Sequence, residues 1–138
     1  MKIFLDANIL VAVLNKEYPL FSYAARILSL SDNKRFKVYT SPICLAVAFY
    51  FAEKKSGTEL ALKKLKLLSS KIHITTVNQK CVQKTHLNKK ITDFEDGLEY
   101  YSALEADCEA IITENTDDFW FSGIEILTCG MLIEKYLS

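Results

Sequence analysis

Histidine is scarce in this chain, and the little present stands apart from the cysteines. The 138 residues hold 2 histidines, His73 and His86, and 4 cysteines, Cys44, Cys81, Cys108 and Cys129, with no Cys-x-x-Cys pair among them. That scatter argues against a structural zinc site, whose ligands come at short fixed spacings. Cys44 and Cys108 lie among apolar neighbours and read as buried small hydrophobes rather than nucleophiles. A surplus of charge of either sign is also missing: 17 basic and 17 acidic residues give a formal net charge of +0 and a pI near 6.7. The broad positive field of sequence-independent nucleic-acid binding is therefore excluded, and any such contact must be local. No apolar run approaches transmembrane length, and the amino terminus lacks the basic and long apolar regions of a signal peptide. A cytoplasmic protein with reduced thiols and no membrane partner is expected. Linkers, internal repeats and low-complexity segments are lacking too, so 138 residues with 50% apolar content are expected to form a single domain over residues 1–138.

What is present alternates between strand and helix patterns. Lys2 to Leu5 reads as a buried strand and Ala7 to Leu14 as a helix that Asn15 can end. Pro19 opens a second helix with Tyr23, Ala24, Ile27, Leu28 and Leu30 at helical spacing, and Ser31 to Lys34 makes a turn. After a strand at Lys37 to Thr40, Ser41 and Pro42 suit the cap and first turn of a helix to about Lys55. Thr58 to Leu68 is amphipathic, with Leu60, Leu62, Leu65 and Leu68 offered to a core and lysines to solvent. Ile72 to Thr75 resembles an edge strand and Asn78 to Leu87 a helix. Thr92-Asp93-Phe94-Glu95 matches a capping box that starts a helix running to about Asp107. Ala110 to Thr113 and Ile124 to Leu127 are strands, and Met131 to Leu137 is a closing helix. This alternation predicts an α/β fold: a mainly parallel sheet between two helical layers.

Three acidic segments punctuate that pattern: Leu5-Asp6-Ala7-Asn8, Asp93-Phe94-Glu95-Asp96, and Glu114-Asn115-Thr116-Asp117-Asp118. Two follow strands, at the carboxyl ends where parallel sheets bind ligands. Asp96 arrives instead from the first turn of a helix, where the dipole and free N–H groups are expected to favour its ionised form. Carboxylates converging on one sheet edge can hold a hard divalent cation. Taken singly, each of these acids could equally be a helix cap or a first-turn charge.

In order and spacing together, the segments resemble the PIN-domain family of ribonucleases, which includes the toxins of many toxin–antitoxin pairs. The likeness rests on Ile3-Phe4-Leu5-Asp6-Ala7-Asn8-Ile9-Leu10, on Asp93 to Leu98 continuing into Tyr100-Tyr101-Ser102-Ala103, and on Ile112 to Phe119, and covers nearly the whole chain. It implies a PIN-like three-layer α/β/α sandwich. It also implies that Asp6, Asp96 and Asp118 are catalytic acids, that these three with Asn115 bind Mg2+ or Mn2+, and that Asn8 and Thr113 support them by hydrogen bonds. The implied reaction is metal-assisted hydrolysis of an RNA phosphodiester leaving a 5′-phosphate, with no organic cofactor. The implied partners are an RNA substrate, a small antitoxin protein and a second copy in a homodimer.

One departure bears on activity. Such proteins commonly carry a glutamate in the helix after the second strand, where this chain has Val47. Glu53 lies six residues on, about 9 Å along a helix, too far for simple replacement. The alternative is therefore a catalytically impaired PIN-like module that binds RNA or a protein. Lys16, Lys54 and Lys55 are candidates for RNA contact or plain solubilising charges. Phe119-Trp120-Phe121, beside Asp118, reads either as core or as a platform for stacked bases.

Overall fold

The computed structural model describes residues 1–137. Its strands are β1 (Lys2–Leu5), β2 (Lys37–Thr40), β3 (His73–Ile74), β4 (Ala110–Ile112) and β5 (Glu125–Leu127). They form one sheet in the order β3-β2-β1-β4-β5, and all four pairings are parallel. β1 is central because Ile3, Phe4 and Leu5 are all fully buried, the continuous apolar run that a strand covered on both faces requires. Its register aligns Ile3 with Val38 on one side and with Ala110 on the other.

The helices are α1 (Ala7–Leu14), α2 (Leu20–Leu28), α3 (Pro42–Ser56), α4 (Thr58–Ser69), α5 (Gln79–Leu87), α6 (Phe94–Glu105) and α7 (Cys129–Leu132). From β1 through β2 to β3 the chain advances in one direction, and from β3 to β4 it turns back across the sheet. Right-handed crossovers therefore put α1 to α4 on one face and α5 with α6 on the other. The packing agrees: α1 lies on α2 and α3, α3 on α4, and α5 on α6. The expected three-layer α/β/α sandwich is the fold observed.

Local chemistry sets the boundaries. Asp6 caps α1 by accepting from the Ala7 N–H, and Asn15 ends it. Ser41 caps α3 ahead of Pro42. α2 is shorter than the pattern suggests, because a 3-10 turn at Ser29–Asp32 takes over, and Tyr23 stands exposed while Ala24, Ile27 and Leu30 are buried. In α4 Ala61 and Leu68 are buried and Leu65 is half-buried against the core, whereas Leu60 and Leu62 are exposed. Spacing of three and four selects that stripe, and Leu60 and Leu62 fall on its flanks. The capping box also shifts by one residue: Asp93, not Thr92, caps α6 through the Asp96 N–H at 3.2 Å. The closing helix starts earlier, at Cys129, and widens into a π-helical turn at Ile133–Leu137. Among the described residues no helix is long and apolar enough to cross a membrane.

Candidate metal centre at the switch point of the sheet

After β1 the chain leaves toward β2, while β4 on its other side leads on to β5. Loops leaving adjacent strands in opposite directions open a crevice at the carboxyl edge of the sheet. Here it is a cleft of about 510 Å³, with Asp6, Asn8, Asp96, Asn115 and Asp118 among its lining residues.

Asp6 is the anchor. It is buried at 7% exposure, and its Oδ1 is committed to the α1 cap. Its Oδ2 accepts from the Thr113 hydroxyl at 2.8 Å and from Asn8 Nδ2 at 3.1 Å. Thr113 in turn accepts from the Asn115 N–H at 3.0 Å, and Asn8 Oδ1 accepts from the Glu114 N–H at 3.1 Å. This network ties the end of β1 to the turn after β4 and places Asn115 beside Asp6. Asp118 follows on the 3-10 turn Thr116–Phe119, anchored by the buried Phe119. Asp96 enters from the other helical layer on the first turn of α6.

The cleft is strongly anionic. Asp6, Glu17, Asp93, Glu95, Asp96 and Asp118 line it, and neither lysine nor arginine is among its described lining residues. Lys54 lies instead over the Tyr50 ring at 4.3 Å, and the Lys55 ammonium donates to the Asn15 carbonyl at the end of α1. The expected ionisation of Asp96 is overturned by its surroundings. Burial, followed by the charges of Asp93, Asp6, Asp118 and Glu95, raises its pKa to about 7. A helix terminus contributes only a fraction of a charge, which four carboxylates and desolvation outweigh. Burial and the charges of Asp93 and Asp6 raise Glu95 as well.

A further acid, with no place in the sequence reading, lies behind the cleft. Glu99, one turn beyond Asp96 on α6, is 1% exposed. Its Oε1 accepts from the Cys44 thiol at 3.0 Å, and ligand atoms of Asp6, Cys44 and Glu99 all lie within 4.8 Å of one another. Burial first, then the charge of Asp6 and a hydrogen bond to it, push Glu99 up to about 11. It is a neutral acid at ordinary pH, able to donate to Asp6. Three-residue spacing from Asp96 was the available signal, since such residues share a helix face. Cys44 is fully buried, as expected, but its partner is a carboxyl group rather than hydrocarbon alone. Val47 does line the cleft, and Glu53, which accepts from the Thr58 hydroxyl, is not among the residues lining it.

A family model described as PIN domain matches residues 2–117. Over 98% of this chain and 95% of its relative, the sequence is 23% identical to Ribonuclease VapC1 of Aquifex aeolicus. VapBC2 from Rickettsia felis, solved bound to a DNA fragment from its promoter, superposes with a TM-score of 0.71 and 25% identity, covering 93% of this chain and 98% of that one. VapBC-1 from nontypeable Haemophilus influenzae gives a TM-score of 0.71 at 20% identity, with 94% and 99% covered. VapC20 of Mycobacterium tuberculosis, a toxin that cleaves the sarcin-ricin loop, gives 0.62 at 16%, with 79% and 86% covered.

Proposed function

We infer the function of this chain from its family: it belongs to the PIN-domain family, and its cleft has the donor set of a nuclease centre. The reading is a divalent-metal-dependent endoribonuclease, folded as one domain, that acts as the toxin of a toxin–antitoxin pair. The observation that carries it is the concentration of carboxylates around Asp6 without a basic counter-charge in the cleft. Like charges gathered in a half-buried site are stabilised by a cation, and an all-oxygen set of carboxylates and an amide suits Mg2+ or Mn2+ rather than a soft metal. Asp6, Asp96, Asp118 and Asn115 would hold it. When bound, such an ion polarises a phosphate oxygen and makes a bound water more acidic.

The residues of the chain do the positioning. Thr113 and Asn8 hold Asp6 Oδ2 in a fixed direction, and the buried acid Glu99 supports the same carboxylate from behind. Asp96 and Asp118 line the cleft from two further elements, where either can accept a hydrogen bond from the attacking water and orient it in line with the scissile bond. The RNA substrate and an antitoxin partner belong to the same reading, supported by the ribonuclease name of the Aquifex relative and by the VapBC structures.

The test is cleavage of a panel of structured and single-stranded RNAs in Mg2+ or Mn2+, beside EDTA controls and Asp6→Asn. Cutting should vanish in EDTA and fall at least about 100-fold in the variant, the scale of losing an electrostatic element of a catalytic site. A second reading, a PIN-like module that binds RNA or protein without cutting, is favoured by Val47 at the wall of the cleft. No cutting above the level of Asp6→Asn, with metal binding verified, would select it.

A further inference from the structure

Trp120 is the only tryptophan of the chain, and it is 64% exposed. It directly follows the turn that carries Asp118, and its neighbours hold it in place. Phe119 is buried, and Phe121 meets the Tyr100 ring edge-on at 5.1 Å and the Trp120 ring edge-on at 6.4 Å. The indole is thus supported along one side and open to solvent elsewhere. It forms a wall of a recess of about 280 Å³, also lined by Thr92, Asp93, Asp96, Asp117, Asp118 and Phe121. Asp93, Asp96 and Asp118 line the larger cleft as well, so the recess adjoins the cleft and shares a wall with it.

Resting on the RNA reading above, we propose that this recess takes one unpaired base next to the scissile phosphate, stacked on Trp120 with its donor edge on Asp117, and that the preferred base is guanine. An exposed aromatic face stacks on a base only when that base is free of its own neighbours, which selects single-stranded RNA. The anionic walls repel phosphate but accept N–H donors. Asp93 is engaged in capping α6, and Asp96 and Asp118 face the cleft, whereas the exposed Asp117 lines only the recess. Guanine carries two N–H donors side by side on its pairing edge, matching the two oxygens of a carboxylate. Uracil offers one donor between two carbonyls, which a carboxylate repels.

The single tryptophan supplies its own readout. In the Asp6→Asn chain, which keeps the RNA intact, single-stranded hexamers differing only at one central base should quench the tryptophan fluorescence saturably, guanine most strongly. Binding followed by anisotropy of labelled hexamers should weaken at least tenfold in Trp120→Ala and less than threefold in Trp120→Phe, and Asp117→Asn should level the preference for guanine. Binding without quenching, or equal affinity in Trp120→Ala, would overturn the inference and leave the ribonuclease reading standing. Failure to bind any hexamer would also overturn the inference, and only the cleavage panel above would then decide the ribonuclease reading.

Discussion

A carboxyl group with a pKa of about 7 is poised between two partners, a proton and a cation. In Asp96 burial and the surrounding acids create that balance. Cation binding must displace the proton, so affinity should rise about tenfold per pH unit below 7 and level off above it. Titrating Mn2+ calorimetrically between pH 5.5 and 8.5 measures this slope, and Asp96→Asn should bind more weakly with the slope flattened. A steep slope surviving in Asp96→Asn would assign the proton to another acid. Which residues come together was legible in sequence: Asp6, Asn8, Asp96, Thr113, Asn115 and Asp118 meet at one edge of the sheet. The electrostatic balance was not, because it depends on how many acids crowd Asp96 in space. Glu99 escaped notice for the same reason, since its significance lies in Asp6 and Cys44, 93 and 55 residues away in the chain.

The helices position these acids through their packing. α6 presses against α5 at Gly97, where an added Cβ would lie 2.3 Å from Thr85 Cγ2 and 3.0 Å from Ile91 Cγ2. The Thr85 hydroxyl donates to the Cys81 carbonyl at 2.7 Å, which resists rotating that methyl away. Alanine in a helix is ordinarily favoured over glycine by about 1 kcal/mol, but here the overlap dominates, and Gly97→Ala should lose about 1–3 kcal/mol. Urea denaturation measures the loss, and Thr85→Ser, which removes the offending methyl, should recover much of it in the double variant. A stabilised Gly97→Ala would mean the two helices part easily. Element boundaries were most legible where a polar residue caps an apolar run, as at Asp6 before α1 and Ser41 before α3. In α4 the expected bounds, Thr58 to Leu68, fall within one residue of those observed, and what was least legible is its buried face, because abundant leucines obscured which stripe meets the core.

Across the whole molecule, the buried Glu99 makes folding sensitive to pH. An acid raised on folding from 4.5 to about 11 binds its proton more tightly in the native state. Its contribution to stability is full below about 4.5 and is progressively lost as pH rises toward 11, by up to about 1.4 kcal/mol per pH unit. Glu99→Gln keeps the shape and a donor without the charge, so it should be more stable than the native chain at pH 8, with the gap closing toward pH 5. Urea midpoints across that range check it, and a constant gap would show that Glu99 does not titrate differently on unfolding. The sandwich itself was legible because strand and helix patterns alternate along the chain, but the strand order was not, since pairing β1 with β4 joins Leu5 to Ile112. That pairing also fixes when the cleft comes into being. Synthesis delivers Asp6 107 residues before Thr113, and the carboxylate waits for that residue, with Asn115 and Asp118, before its surroundings exist. Long-range contacts of this kind form late. A centre split between segments so far apart stays unassembled, and whatever chemistry it performs is withheld, until the ribosome has delivered both of them.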